Sequence, residues 1–190
     1  MSVFSRLVAL LILVVAAPFL ILLAIAVLVM QGRPVLFRQM RAGKDRVPFE
    51  LVKFRSMRDT RGPDGELLPD EMRTTAIGKF LRRSRLDELL GLWNVARGDM
   101  NFVGPRPLLP ETIAELGALG NRRSEVKPGL TGWSQVSGNT LLTLEQKVAL
   151  DIWYIDNRGP VLDAQILART VLVMVGGEKV RVETPTGDAP

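Results

Sequence analysis

Asp87 and Glu88 stand side by side in "LRRSRLDELLGLWNVARGDMNFVGPRP", just after Arg82, Arg83 and Arg85. Further on, Arg106 lies between Pro105 and Pro107, and the proline rings fix φ so that a long cation is presented at low entropic cost. Lys53 and Arg55 add positive charge in "ELVKFRSMR". If Lys53, Arg55, Arg82 and Arg106 converge, they make a site for an anion carrying two or more phosphates. A carboxylate among such cations is expected to stay ionised, because nearby positive charge lowers its pKa. An ionised Asp87 then has two uses: ligating Mg²⁺ or attacking phosphorus. The competing reading is a solvated helix face with Arg83–Asp87 and Ser84–Glu88 contacts at i, i+4. Arginines gathered in the first half of a helix lie at the wrong end of its dipole, so stability alone does not favour them.

Composition narrows the chemistry. The chain has no cysteine and no histidine, which removes disulfides, thiol nucleophiles, histidine triads and histidine-ligated zinc. Catalysis must run on carboxylates, lysines, arginines, hydroxyls or an oxygen-ligated metal. The net charge of +5 suits an anionic partner. No GxxxxGK[ST] loop is present, against an NTP-driven motor. Few aromatics punctuate the basic stretches, so nucleic acid is not expected as a partner.

The elements that position these residues are mostly helical. A Thr74 or Thr75 cap is expected to start a helix running to about Arg97 and stopping at Gly98, with Leu86, Leu89, Leu90, Trp93 and Ala96 as its buried stripe. Residues 35–58 alternate around "RAGKD" and predict a β-hairpin with a positive edge. Residues 59–73 and the Gly- and hydroxyl-rich 127–140 read as loops, and 111–119 as a short helix. Thr143 opens a Thr-x-x-Gln capping box for a helix to about Asn157, and Pro160 leads into an apolar helix over 161–175, for the core or a membrane interface. The last dozen residues read as loosely ordered. The fold class is mainly α with a small β-hairpin (α+β), in one catalytic domain.

Leu7–Met30 is uncharged and apolar, a membrane-helix candidate. A cleaved signal peptide fits poorly, since the run continues past "AIA". A kinked span and a re-entrant helix-break-helix remain. Pro18 breaks the pattern near its middle, and arms 7–17 and 19–30 would each reach about 17–18 Å, short of a ~30 Å hydrocarbon core. Arginines on both flanks fit a hairpin with both ends on the cytoplasmic side, although a spanning helix also tolerates proline.

"PVLFRQMRAGKDRVPFELVKFRSMR", the Asp-Glu segment through "GPRPLLP", and "KPGLTGWSQVSG" together resemble, in order, the bacterial sugar transferases, small monotopic phosphoglycosyl transferases. The resemblance covers about residues 4–175. It departs at Arg33, Arg85 and Leu90, where the family often has Gly, Ser or Thr, and Pro, and at "SGNT" in place of a Gly-Arg ending. The resemblance implies that a UDP-sugar gives its sugar-1-phosphate to a polyprenol phosphate. Asp87 is the implied nucleophile, releasing UMP and carrying an aspartyl-phosphosugar, with Glu88 orienting it or handling a proton. Lys53, Arg82 and Arg106, with Pro105 and Pro107 around the last, would hold the diphosphate beside Mg²⁺ at Asp87. It also favours the re-entrant hairpin broken at Pro18, with Ser2 and the catalytic domain on one side. The expected organisation is a membrane hairpin at 1–33, a catalytic domain with interfacial helices at 34–176 and a tail at 177–190, on the cytoplasmic face of the bacterial inner membrane. A homo-oligomer is left open. The rivals are a lipid-diphosphate phosphohydrolase and a membrane-tethered anion-binding protein without turnover.

Overall fold

The computed structural model describes residues 3–177, so most of the expected tail lies outside the described residues. Helix α1, Val3–Gln31, carries the apolar segment. The break expected at Pro18 does not divide it: Pro18 lies inside one continuous helix. A proline removes one donor, the partner of the Val14 carbonyl, and a helix tolerates that loss without ending.

Both ends of α1 are tied to the rest of the protein. Near its start, Arg6 donates from Nε to the carbonyl of Ala96 at 2.9 Å and from Nη2 to that of Arg97 at 3.1 Å. Near its end, Gln31 Nε2 donates to the carbonyl of Arg55 at 2.9 Å, and Arg58 Nη2 donates to that of Met30 at 3.0 Å. Between them, Ala9 packs with Phe49, Leu51, Leu92, Val95 and Met100, while Leu20, Leu23 and Val27 pack with Phe54 and Leu81. The helix is thus a structural member of two apolar clusters. Its outer face stays bare, with Leu11, Val14, Val15, Leu22 and Val29 exposed.

The hairpin forms as the alternation predicts. Strands β1 (Leu36–Ala42) and β2 (Pro48–Phe54) pair antiparallel, Leu36 opposite Phe54 and Ala42 opposite Pro48. A short turn of helix, α2 (Asp70–Arg73), interrupts the stretch expected as loop.

The long helix expected from Thr75 to Arg97 is instead two helices. Thr75 does cap α3 (Ala76–Ser84), accepting from the Gly78 amide. The chain then turns at Arg85, which takes left-handed backbone angles with φ +57°. A single 3-10 turn, Leu86–Glu88, follows, and α4 (Gly91–Arg97) begins after it. Helical periodicity in the sequence is blind to this joint, because both pieces are amphipathic. Tertiary packing requires it: Leu81 of α3 buries against the second half of α1, and Leu92 and Val95 of α4 pack with Ala9 in the first half. The buried set shifts accordingly. Leu92, Asn94 and Val95 are buried, whereas Trp93, placed in the expected stripe, is 48% exposed.

Beyond α4, strand β3 (Asn101–Val103) precedes α5 (Pro110–Glu115) and α6 (Ala118–Arg123), which divide the helix expected at 111–119. The region 127–140 is more than loop: β4 (Gly129–Thr131) pairs parallel to β3, and α7 (Trp133–Val136) follows. Glycine there serves close approach rather than flexibility, since a Cβ on Gly129 would lie 2.1 Å from the Gly104 nitrogen. The Thr143–Gln146 capping box is formed in full and starts α8 (Leu144–Asn157). Helix α9 (Pro160–Gly176) docks on α8 and α7 through Tyr154 Oη donating to Asp163 at 2.8 Å and Arg169 stacked 4.7 Å over Trp133. It buries only Ile166 and leaves Val171, Leu172 and Val175 bare.

Candidate active site

The 3-10 turn between α3 and α4 puts Asp87 and Glu88 where three elements meet. Strand β2 delivers Lys53, and Asn94 holds that strand in place. Asn94 is completely buried on α4 and reaches the unpaired edge of β2, donating to the Glu50 carbonyl at 2.7 Å and accepting from the Val52 amide at 3.4 Å. Lys53 is the next residue along, and its Nζ lies 2.7 Å from Glu88 Oε1.

The third element is the turn after β3 that carries Arg106. Four consecutive carbonyls of this turn are each held by a different partner. Pro105 accepts from the Gly129 amide at 2.9 Å, and Arg106 from Arg123 Nη2 at 2.8 Å. Pro107 accepts from Arg41 Nη1 at 3.2 Å, and Leu108 from the Ala42 amide at 2.9 Å. Arg123 is itself locked by a buried ion pair with Asp151, which also accepts from Ser134. The prolines fix the local angles, and this network fixes where the turn sits. Arg106 Nη2 then reaches Glu88 Oε1 at 2.9 Å.

Lys53, Arg82, Arg85, Asp87, Glu88 and Arg106 line one open cavity of about 250 Å³, completed by Asn139 and Thr140. The sequence-nominated Asp87, Glu88, Lys53, Arg82 and Arg106 are therefore brought together, with Pro105 and Pro107 flanking the last. Arg55 is not among them. Its guanidinium donates to the carbonyls of Met57 and Arg33 and pairs with Asp59, which makes it a brace for the chain after β2. Pro18 lies in α1 and lines no part of the cavity.

The two adjacent carboxylates experience opposite electrostatics. Burial, and then the charge of Glu88, push Asp87 up to about 6, against the opposing pull of Lys53 and Arg82. The expectation that the cations would keep Asp87 low is thus corrected: desolvation wins, because Asp87 is only 8% exposed and the strongest cations pair with its neighbour. Burial also works against the charge on Glu88, but Arg106, Lys53 and Arg85 outweigh it and hold Glu88 at about 2. At neutral pH both are ionised, and Glu88 is neutralised by its partners while Asp87 is not ion-paired to the same extent.

No group of three metal-ligating side chains suited to an ion occurs among the described residues. With Glu88 Oε1 taken by Lys53 and Arg106, Asp87 is the carboxylate left to meet a cation. One carboxylate plus substrate phosphates is the habit of Mg²⁺, so the residues present fit that ion in a substrate-bound site.

Sequence reasoning missed Asn94, Arg41, Arg123 and Asp151, which position the site without lining its polar cavity. Their signal is weak. Each is a single polar residue in an otherwise ordinary segment, and its partners are distant in the chain.

The profile of the family Bacterial sugar transferase matches residues 1–177. The uncharacterized sugar transferase EpsL of Bacillus subtilis (strain 168) is 45% identical over 162 residues, covering 85% of this chain and 80% of the relative. The UDP-glucose:undecaprenyl-phosphate glucose-1-phosphate transferase of Klebsiella pneumoniae is 38% identical over 171 residues, covering 85% of this chain and 37% of the relative. The galactosyl transferase CpsE of Streptococcus agalactiae serotype III (strain NEM316) is 36% identical over 160 residues, covering 77% of this chain and 36% of the relative. The chain thus spans most of EpsL and little more than a third of the other two. On the profile match and this similarity, the chain belongs to the bacterial sugar transferase family.

Proposed function

We propose that this chain is a phosphoglycosyl transferase that moves a sugar-1-phosphate from a UDP-sugar to a polyprenol phosphate on the cytoplasmic face of the bacterial inner membrane. The observation that carries this reading is the pairing of a desolvated, weakly neutralised Asp87 with a fully counter-charged Glu88 inside one cationic cavity. The names of relatives, which specify UDP-glucose and undecaprenyl phosphate, supply the substrate classes.

A carboxylate oxygen of Asp87 attacks the β-phosphorus of the donor. A P–O bond forms to Asp87, the phosphoanhydride bond breaks, and UMP leaves with the bonding pair. Desolvation raises the nucleophilicity of Asp87, while Arg82 and Arg106 receive the phosphate oxygens. Glu88 holds Lys53 and Arg106 in position before substrate arrives, and at about 2 it carries no proton to give. A phosphate oxygen of the polyprenol phosphate then attacks the phosphosugar, breaks the bond to Asp87 and regenerates the carboxylate. Mg²⁺ held by Asp87 and substrate oxygens would neutralise part of the diphosphate charge.

The docking of α1 supports a same-side topology. A spanning helix would carry Arg6 across a ~30 Å core from the catalytic domain, whereas Arg6 is hydrogen-bonded to α4. The bare faces of α1 and α9 then lie in lipid as a monotopic anchor.

The test is turnover of a panel of UDP-sugars by purified protein, with and without polyprenol phosphate. Acceptor-dependent multiple turnover with UMP release supports the transferase. Sustained hydrolysis without acceptor would replace it with a phosphohydrolase, and salt-sensitive binding without turnover would leave only an anion-binding protein.

A further inference from the structure

We propose that an apolar groove beside the catalytic cavity receives the isoprenoid units of the acceptor nearest its phosphate; this rests on the transferase reading above. The groove has a volume of about 120 Å³ and runs between the Asp-Glu turn, the β3–β4 pair and α9. Leu89, Phe102, Leu130, Leu167 and Met174 form its walls. Two threonines also line it, but Thr131 and Thr170 bond to each other at 2.7 Å, and Thr170 donates onward to the Ile166 carbonyl at 2.8 Å. Their hydroxyls are therefore spent on neighbours. A sugar or a diphosphate would find little hydrogen bonding along these walls, and burying its polar groups there would cost free energy. An isoprenoid chain loses nothing.

Charge and continuity select the occupant. Arg85 and Glu88 line both the groove and the cationic cavity, so the apolar walls end where the phosphate-binding side chains begin. A molecule with an anionic head and an apolar tail matches that sequence of surfaces. With its first isoprenoid units against Leu89 and Leu167, the acceptor phosphate falls beside Arg85, in the cavity that holds Asp87. The outer flank of α9, bare at Val171, Leu172 and Val175, continues the apolar surface away from the site. Leu167 and Met174 then help to distinguish a lipid phosphate from water as the attacking group.

Leu167→Trp and Met174→Trp test this, since both side chains are at least partly exposed and a larger one fills the groove without entering the core. Steady-state assays vary donor and long-chain polyprenol phosphate separately. The expected result is an acceptor KM raised about tenfold or more, with donor KM and acceptor-free UMP release within about twofold of wild type. Unchanged acceptor KM, or equal increases for both substrates, would overturn the groove assignment while wild-type turnover keeps the transferase reading intact. A wild-type protein that uses no polyprenol phosphate would sink both. Should the variants misfold, photocrosslinking of wild type decides. A polyprenol phosphate with a diazirine near its phosphate should label peptides containing Leu89, Leu167 or Met174. Labelling confined to α1, or displaced by bilayer phospholipid and not by unlabelled acceptor, would contradict the proposal.

Discussion

Asp87 and Glu88 differ by one position and by about four pH units in the charge states that the folded protein favours. The difference has opposite consequences for stability. Asp87 titrates at about 6 in the fold against an ordinary 3.8, so the folded state binds more protons between those values and stability falls as pH rises through them. Asp87→Asn should therefore abolish turnover yet raise the unfolding free energy at neutral pH, by on the order of 3 kcal/mol. Glu88 titrates at about 2 against 4.5, so its contribution is present above 4.5 and is lost as pH falls toward 2. Glu88→Gln should lower stability at pH 7 and free Lys53 and Arg106 from their shared partner; thermal melts of both variants across pH check the signs. Turnover should follow the ionisation of Asp87, with kcat/KM rising up to about pH 6 and levelling above it. A flat profile from pH 5 to 8 would argue against Asp87 as the titrating nucleophile. Arg106→Ala should weaken donor use strongly, and Arg106→Lys should restore only part, because a point charge cannot reproduce a two-pronged guanidinium contact. If lysine performs as well as arginine, recognition there is charge alone. The pair and the GPRP arginine were legible in the sequence, since unusual residues lie at short spacing. The elevated pKa was not, because it depends on burial, and burial depends on how α3 and α4 separate.

At the scale of elements, the signals that were read correctly are local. The capping box at Thr143, the Thr75 cap and the hairpin around "RAGKD" each involve residues within a few positions of one another. The joint at Arg85 and the β3–β4 pair depend on what packs against them, and the glycines of "KPGLTG" looked like loop residues for that reason. Asn94 is the clearest case of a positioning residue hidden in a helix. Asn94→Ala should leave the Glu50 carbonyl without its side-chain donor at the β2 edge and destabilise the protein by roughly 1–3 kcal/mol. Chemical denaturation measures it, and a neutral result would mean that α4 does not hold β2 in register. Because Lys53 follows on the same strand, donor KM should worsen in the same variant.

For the whole molecule, residue patterning alone allowed a kinked span or a re-entrant hairpin, and the family resemblance favoured the hairpin. Helix α1 is one continuous helix, and the contacts of Arg6 and Gln31 bear on which side its start lies. The chain is cysteine-free, so Val3→Cys provides a single label at an exposed position on α1. An impermeant thiol reagent should fail to reach it from the periplasmic side of intact cells and label it after the inner membrane is opened. Arg6→Ala should loosen that end of α1 and raise its proteolytic sensitivity. On the proposed function, the apolar anchor, the cationic cavity and the groove beside it would act together: a membrane-held acceptor would meet an intermediate carried on the protein. The central claim is that the intermediate is covalent and resides on Asp87. Purified protein given a labelled UDP-sugar without acceptor should release close to one equivalent of UMP in a burst, and mass spectrometry of the acid-quenched protein should find the phosphosugar on the peptide bearing Asp87, absent in Asp87→Asn. No burst without acceptor, or an adduct on Glu88 instead, would contradict the account.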